Sequence, residues 1–487
     1  MTLPRSQLCA VATVLLGSSA SVAFAQADVH TTAPDAFTAL VTEDGASYQP
    51  PASNFPWDRM NGIQRAQFGA DLYSPARFLT LSARRDLPIT LDFFAPQASS
   101  YGMGTEDALF GDPLEGLLRP IRNLDQYLYE AMSTSTNIYY TLVIQGLSRT
   151  IDDANGDPYG RVSGTGRLDV NLQTVFAKSA GLGTSTMQVL MRSGVVIGQP
   201  ESYSAGIAAG SYYNLCALSM GDETTLNILS YSQGFLDDRL VFTAGKLHPN
   251  QFFLLNYIAN DESAQFLNGS LDGNDVMQPA QGTYCPGAVM QTIPRDDIYV
   301  NAGIFDIADG PMDAFENIGE GLYCAAVEIG WTPKLSTQFS RFSATFAVSN
   351  QGREWNINGS KQTNAMCALL AQHQFDNGFA PFLEYGIGSE ENPSASQELT
   401  LGVGFFRPFG RVSDYAGVGW SCTQPTNAYG TLAPTADPPS TSVLEAFYRL
   451  QLTESMQLSP DFQINFDAQN GSDSPSVAVA LRLKTQF

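Results

Sequence analysis

The residues that could do chemistry are few, and their spacing argues against catalysis. Beyond residue 25 the chain has three histidines, His30, His248 and His373, and a nucleophile needs such a base within hydrogen-bond reach. His30 lies in a stretch without hydrophobic period. His248 precedes Pro249-Asn250 in a turn, and His373 alternates with Phe375 as on a strand near a rim. No G-x-S-x-G sequence offers a nucleophile elbow. Cys216, Cys285, Cys324, Cys367 and Cys422 are far apart and form no C-x-x-C pair, which argues against zinc. An oxidising compartment permits two disulfides among them, with the odd cysteine a buried thiol. Asp152-Asp153-Ala154-Asn155-Gly156-Asp157 and Asp272-Gly273-Asn274-Asp275 lack the ligand spacing and distal Glu of a calcium loop and are ordinary turn formers. No enzyme activity, metal or other cofactor is expected.

What remains is a set of polar residues repeated at period two. Asp169, Asn171 and Gln173 share one face; Glu445, Phe447 and Arg449 share another; Asp461, Gln463 and Asn465 a third; Arg482 and Lys484 a fourth. Planar donors and acceptors near an aromatic suit a solute with polar edges and an apolar face. These residues form the candidate binding wall.

Only strands can present residues in this way. The chain closes on Ser476-Val-Ala-Val-Ala-Leu-Arg-Leu-Lys-Thr-Gln-Phe487, in which Phe487, Thr485, Leu483, Leu481, Val479 and Val477 oppose Gln486, Lys484, Arg482, Ala480, Ala478 and Ser476. One face suits lipid and the other water, as in the closing strand of an outer-membrane barrel. Such a barrel has no open edge, so this strand must pair with an early one. The same alternation sets Leu168, Val170 and Leu172 against the Asp169 face, and Leu444, Ala446, Tyr448 and Leu450 against the Glu445 face. Polar faces rich in Asn, Gln, Asp and Arg fit a hydrated channel wall.

The rest of the chain agrees. Arg5, the apolar run Leu8 to Gly17 and Ala23-Phe24-Ala25 make residues 1–25 a secretory signal peptide. Residues 26–136 are expected to be an N-terminal periplasmic segment, mobile to about residue 60, with one amphipathic helix at about 112–132. In that helix Leu114, Leu117, Leu118, Ile121, Leu124, Leu128 and Ala131 recur at three- and four-residue spacing, with Asp112 as cap, Pro113 in the first turn and a kink at Pro120. Residues 137–487 have room for roughly 16 strands of about ten residues each. Abundant Gly, Pro, Tyr and Phe fit many strands and turns, and a formal net charge of -23 excludes nucleic acid as a partner.

Several ordered blocks resemble the carbohydrate-selective porins of the OprB type, over about residues 160–487. They are Gly166-Arg167-Leu168-Asp169-Val170-Asn171-Leu172; Tyr231 to Leu240 followed by Ala244-Gly245-Lys246-Leu247-His248-Pro249-Asn250; Phe266-Leu267-Asn268-Gly269-Ser270; Gly410 to Gly419; and Leu444 to Leu452 with Leu458 to Gln463. The family's N-terminal Gly-Asp-Trp-Gly-Gly-Leu-Arg block has only a degraded echo in Gly111 to Arg119, and His248 replaces a more usual acidic residue. The resemblance implies an all-β, outer-membrane barrel that passes small neutral sugars such as monosaccharides by passive diffusion. It also implies contact with outer-membrane lipid, recognition by the barrel-assembly machinery through the strand ending at Phe487, and leaves a homo-oligomer open. A general, mildly cation-leaning pore and a structural or polysaccharide-export barrel are the alternatives. The acidic clusters Asp152 and Asp153, Asp272 and Asp275, and Glu390 and Glu391 are expected outside the constriction.

Overall fold

Sixteen antiparallel strands form one closed barrel in the computed structural model. The structure describes residues 108–487 except 151–159, 180–182, 200–204, 210, 219, 237, 282–283, 296, 309, 311, 313–314, 316–318, 334, 336–339, 353–358, 412, 427–439 and 467–474. The expected signal peptide, the segment to residue 60, His30 and the Asp152–Asp157 cluster therefore lie outside the described residues.

The strands are β1 (Thr134–Leu147), β2 (Val162–Ser179), β3 (Gly183–Gln199), β4 (Thr224–Phe235), β5 (Leu240–Leu247), β6 (Cys285–Arg295), β7 (Ile298–Asp306), β8 (Tyr323–Trp331), β9 (Ser340–Ser349), β10 (Asn364–His373), β11 (Phe379–Gly388), β12 (Ala395–Phe406), β13 (Tyr415–Pro425), β14 (Thr441–Gln451), β15 (Met456–Phe466) and β16 (Ser476–Gln486). Each pairs with its sequence neighbours, and β1 pairs with β16, matching Leu142 with Leu483, Val143 with Arg482 and Ile144 with Leu481. The ring has no open edge, the only way a sheet can satisfy its backbone within hydrocarbon. The first strand starts three residues before the expected position. Leu481 is 50% exposed on the outer face, whereas Arg482 and Lys484 are buried inside, so the terminal alternation runs as its sequence predicts.

Connections alternate in length. Those such as 236–239, 296–297 and 452–455 are short, whereas 200–223, 248–284 and 307–322 are long. Barrels of this class have short periplasmic turns and longer outward loops, which places the start of β1 and the end of β16 at the periplasmic rim.

The connection 248–284 turns into the lumen. It leaves β5 just beyond Gly245, whose φ of +140 lies where side chains rarely go and whose added Cβ would strike the Leu229 carbonyl. Its 3₁₀ turn Pro249–Gln251 redirects the chain, and the short helix Gln278–Gln281 brings it back to β6. In between, Phe253, Leu254, Val276 and Met277 pack on inward Cys324, Ala326, Ala347, Met366, Ala368 and Leu370. Small alanines leave room for the loop's larger side chains, so close packing fills this side of the barrel. Farther along, Ile258, Phe266 and Leu271 pack with Phe382, Tyr415 and Phe447.

The N-terminal helix α1 (Glu115–Met132) begins three residues later than expected. Asp112 accepts a hydrogen bond from the Leu114 amide at 3.0 Å and one from Ser455 Oγ at 3.0 Å, so it ties the helix approach to the β14–β15 turn and does not cap the helix. Pro113 precedes the helix, while Pro120 lies within it. At its other end Ser133 takes the left-handed conformation and its amide bonds the Tyr129 carbonyl at 3.0 Å. Cys216, Cys285 and Cys324 are buried and Cys367 and Cys422 half-buried, all five as thiols.

Candidate functional site

The inward loop gets its local shape from three Asx turns. Asn256 Oδ1 accepts from the Ile258 amide, Asp261 Oδ1 from the Ser263 amide and hydroxyl, and Asn268 Oδ1 from the Ser270 amide and hydroxyl, at 2.6 to 3.2 Å. Inward carboxylates on the wall then fix it. Glu328 Oε2 accepts from the Leu254 amide at 2.6 Å, and Glu398 Oε2 from the Asp275 amide at 2.5 Å. Glu445 takes both the Leu267 and Asn268 amides, at 2.5 and 2.9 Å. The β3–β4 connection is tied to the same structure. Its Leu215 carbonyl accepts from Gln145 and Gln463, and its Ala217 amide donates to the Leu267 carbonyl at 2.7 Å. Buried backbone groups of two loops thus find partners on the barrel wall, as they must when removed from water.

With the loop filling the β6–β12 side, its acidic edge faces a basic sector. Arg167 on β2 bonds Asp169 Oδ2 at 2.8 Å, the Leu218 carbonyl at 3.3 Å and Glu262 Oε1 at 2.5 Å. Arg192 on β3 bonds Asp169 Oδ1 at 2.6 Å and Tyr284 Oη at 2.5 Å. Burial opposes the charge of Glu262, but Arg167 and Arg192 outweigh it and bring its pKa down to about 2. Across the β16–β1 seam, Arg482 donates to the Glu262 carbonyl at 2.9 Å and Lys484 Nζ to Ser263 Oγ at 2.8 Å. The Asp261 carboxylate is close enough to interact with Arg449, Arg482 and Lys484. Opposed charges therefore face one another between the loop and the wall, with aromatics beside them. The Arg482 guanidinium lies 5.7 Å from the centre of the Phe447 ring and Lys484 Nζ 4.2 Å from that of Tyr139.

Above the ion-pair network is a cavity of about 400 Å³, bounded by the two inturned loops and Arg192. His248, Tyr284, Glu262, Asp272, Asn274 and Tyr212 are among its lining residues. His248 stacks on Tyr284 at 4.2 Å, and burial, then Arg192, pushes its pKa down to about 3, so it is neutral at physiological pH. Small-ligand cavities of this size combine apolar and aromatic walls with a few fixed polar groups.

The wall residues expected from sequence all carry the inward parity, in three settings. Asp169, Arg449, Arg482 and Lys484 belong to the charged cluster between the wall and the inturned loop. Glu445, Phe447 and Gln463 hold the loops: Phe447 meets Phe266 edge-on at 4.9 Å, and Gln463 bonds both Leu215 and Asn268. Asp461 accepts from Gln463 at 3.1 Å, while Asn171 accepts from Gln188 at 3.3 Å and Gln173 lies toward the periplasmic rim. Sequence reasoning missed Arg192, Glu262, His248 as a cavity residue and Tyr284. Arg192 on an alternating strand was a usable signal, whereas Glu262 lies in a segment with no period. Asp272 and Asp275, expected outside the constriction, do not project outward. Both are on the inturned loop and line the cavity, because Asn268 and Glu398 anchor their backbone inside the barrel. Exposed Glu390 does sit at the outer end, between β11 and β12.

Burial raises the pKa of Asp275 to about 6, and burial with the neighbouring Glu262 raises that of Asp272. A raised carboxylate is charged above its folded pKa and neutral below it, so Asp275 loses its charge as pH falls through about 6. Glu262 is shifted the other way. Its stabilising contribution is complete above the ordinary carboxylate range near 4.3 and is lost only as pH falls toward about 2. Cation preference should therefore decline between about pH 7.5 and 5 while the ion-pair network persists. Reversal potentials in a salt gradient at the two pH values check this; equal values would remove Asp275 from the conducting path.

The family model described as "Carbohydrate-selective porin, OprB family" matches residues 163–487. A high-pH structure of Pseudomonas putida OprB superposes with a TM-score of 0.61 at 13% identity, covering 74% of this chain and 96% of that one. The low-pH structure of the same protein gives 0.43 at 11% identity over 78% and 99%. A Rhodopseudomonas blastica porin triple mutant gives 0.42 at 11% identity over 73% and 100%. No curated protein matched by sequence.

Proposed function

The chain belongs to the OprB family of carbohydrate-selective porins, and from that premise we propose that it passes small neutral sugars, monosaccharides foremost, by passive diffusion through its lumen. The observation that supports the reading is a set of buried polar atoms on the wall and the inturned loop. Among the described residues, Arg482 Nε and Nη2 and Asp261 Oδ2 have no hydrogen-bond partner within the protein. A sugar hydroxyl both donates and accepts, so it can meet fixed donors and acceptors side by side. An ion meets opposed charges in series, and one of them always repels it. On this reading Asp169, Arg449, Asp461, Arg482 and Lys484 meet the solute, whereas Glu445, Phe447 and Gln463 act by holding the loops. Asn171 and Gln173 line the wall below.

The test is liposome swelling with sugars of graded size, run beside reversal-potential measurements. Uptake of hexoses faster than of similar-sized neutral solutes, with mild ion selectivity, is expected. A steep cation preference without faster sugar uptake would support the second reading, a general cation-leaning pore. That reading draws on the net charge of -23 and on Asp272 and Asp275 in the cavity.

Assembly is proposed to run through the C-terminal strand. The Phe487 amide bonds the Ile138 carbonyl at 2.9 Å, extending the β16–β1 seam to the periplasmic rim, where an aromatic sits at headgroup depth. Phe487→Ser should lower the folded yield more than it changes the transport of molecules that fold. Heat-modifiable mobility on unboiled gels reports the folded fraction, and an unchanged fraction would count against the role.

A further inference from the structure

The helix α1 packs on the outside of the barrel wall. On β1 the inward residues are Tyr139, Thr141, Val143 and Gln145, so Thr134 and Thr136 have outward parity. Both are nevertheless buried. The Thr134 hydroxyl meets that of Thr174 on the same outer face at 2.9 Å, and the Thr136 amide and hydroxyl both bond Asp125 of α1, the amide at 3.1 Å. At the other end of the helix the Phe110 amide bonds the Leu452 carbonyl at 2.9 Å. The helix thus skirts the periplasmic rim from the β14–β15 turn to β1.

Around the rest of that rim, Phe242, Trp331, Phe379, Phe405 and Phe409 are exposed on the outer surface, forming the aromatic girdle with which a barrel meets lipid headgroups. From β15 to β1 the corresponding outward residues are Leu458, Leu483, Thr485 and Ile138, with Phe487 and Tyr140 the aromatics there, and all of them are half-buried. α1 lies in this sector. Its Leu118, Asp125 and Tyr129 face the barrel, but Leu117, Leu124 and Tyr127 form an adjacent strip exposed by 69%, 52% and 57%, with Phe110 exposed by 65% just ahead of it. Arg119 and Glu115, 3.9 Å apart, lie on the far side.

We propose that α1 is an interfacial helix whose Leu117–Leu124–Tyr127 strip seats in the periplasmic leaflet of the outer membrane and completes the girdle between β14 and β1. The occupant is lipid because the strip continues the barrel's own lipid-facing belt at the same rim, where an amphipathic helix buries its apolar face in the headgroup boundary. The proposal rests on membrane placement of the barrel and is independent of which solute it passes.

The test places p-benzoylphenylalanine at position 117, 124 or 119 of the full chain. Each form is folded into vesicles of phosphatidylethanolamine and phosphatidylglycerol, irradiated and examined by mass spectrometry. Phospholipid adducts at 117 and 124, with loss of the adduct at 119, are expected. Absence of adducts at 117 and 124 in heat-modifiable, folded barrel would overturn the proposal, as would equal adducts at all three positions. In intact cells, cross-links from 117 and 124 to a periplasmic protein in place of lipid would also overturn it. A second variant, Leu117→Asp with Leu124→Asp, should fold and lose the lipid adduct formed from position 127; retention of that adduct would count against the seating.

Discussion

Glu445→Ala is expected to free the middle of the inturned loop and raise both the mean conductance and the gating noise of single channels. Glu445 on β14 accepts from two consecutive loop amides, Leu267 at 2.5 Å and Asn268 at 2.9 Å. A buried amide left without its acceptor costs about 1–3 kcal/mol. Two such amides should therefore shift the local docking equilibrium by at least about 30-fold. The loop will not leave the lumen altogether, because Phe266 remains packed between Phe382 and Phe447, and Glu328 and Glu398 hold its two arms. Glu445→Gln keeps one acceptor oxygen and should fall between parent and alanine. Planar-bilayer recordings decide it: alanine and parent traces of equal amplitude and noise would show that the loop is held elsewhere.

The second large effect is expected at Arg167. Its guanidinium reaches Asp169, Glu262 and the Leu218 carbonyl together, so it joins the wall, the inturned loop and the β3–β4 connection. Arg167→Met leaves two buried carboxylates to share Arg192. Breaking a buried pair by removing one partner costs about 3–5 kcal/mol. The temperature at which the folded band converts to the unfolded one should drop, and the passage, now one positive charge poorer, should favour cations more strongly. Arg167→Lys should restore little of either property, since an ammonium lacks the planar fork that reaches several acceptors at once. Glu262→Gln should move the reversal potential the opposite way. Shifts of the same sign in the Arg167→Met and Glu262→Gln variants would show that these charges do not set selectivity.

Period and order along the chain already contain the barrel. Strict alternation through Leu481-Arg482-Leu483-Lys484 decides which side chains meet lipid, because a strand has only two faces and a one-residue error would place Arg482 in hydrocarbon. The same rule put Asp169, Glu445, Asp461 and Gln463 inside, and the ordered blocks from Gly166 to Gln463 indicated the family. Helix periodicity located α1 to within a few residues, although Asp112 turned out to tie the helix to the β14–β15 turn.

Tertiary structure alone decided what the inward residues do. Glu445 and Gln463 have the same parity as Arg482, yet they are occupied by the backbone and by the Asn268 side chain of a loop nearly two hundred residues away in sequence, an arrangement that leaves no mark on strand periodicity. Residues 248–284 look like an outward connection rich in Asx turns, and nothing local says that Phe253, Leu254 and Met277 will fill a wall of alanines. That fit depends on the volume left between β6 and β12, a property of the closed ring. Once the loop is inside, Asp272 and Asp275 become cavity residues, Glu262 comes within reach of Arg167 and Arg192, and the lumen acquires a charge-balanced cluster on one side. The barrel wall follows from a period of two along each strand, whereas the cavity and its ion-pair network follow from long-range packing, which joins residues that have no relation in sequence.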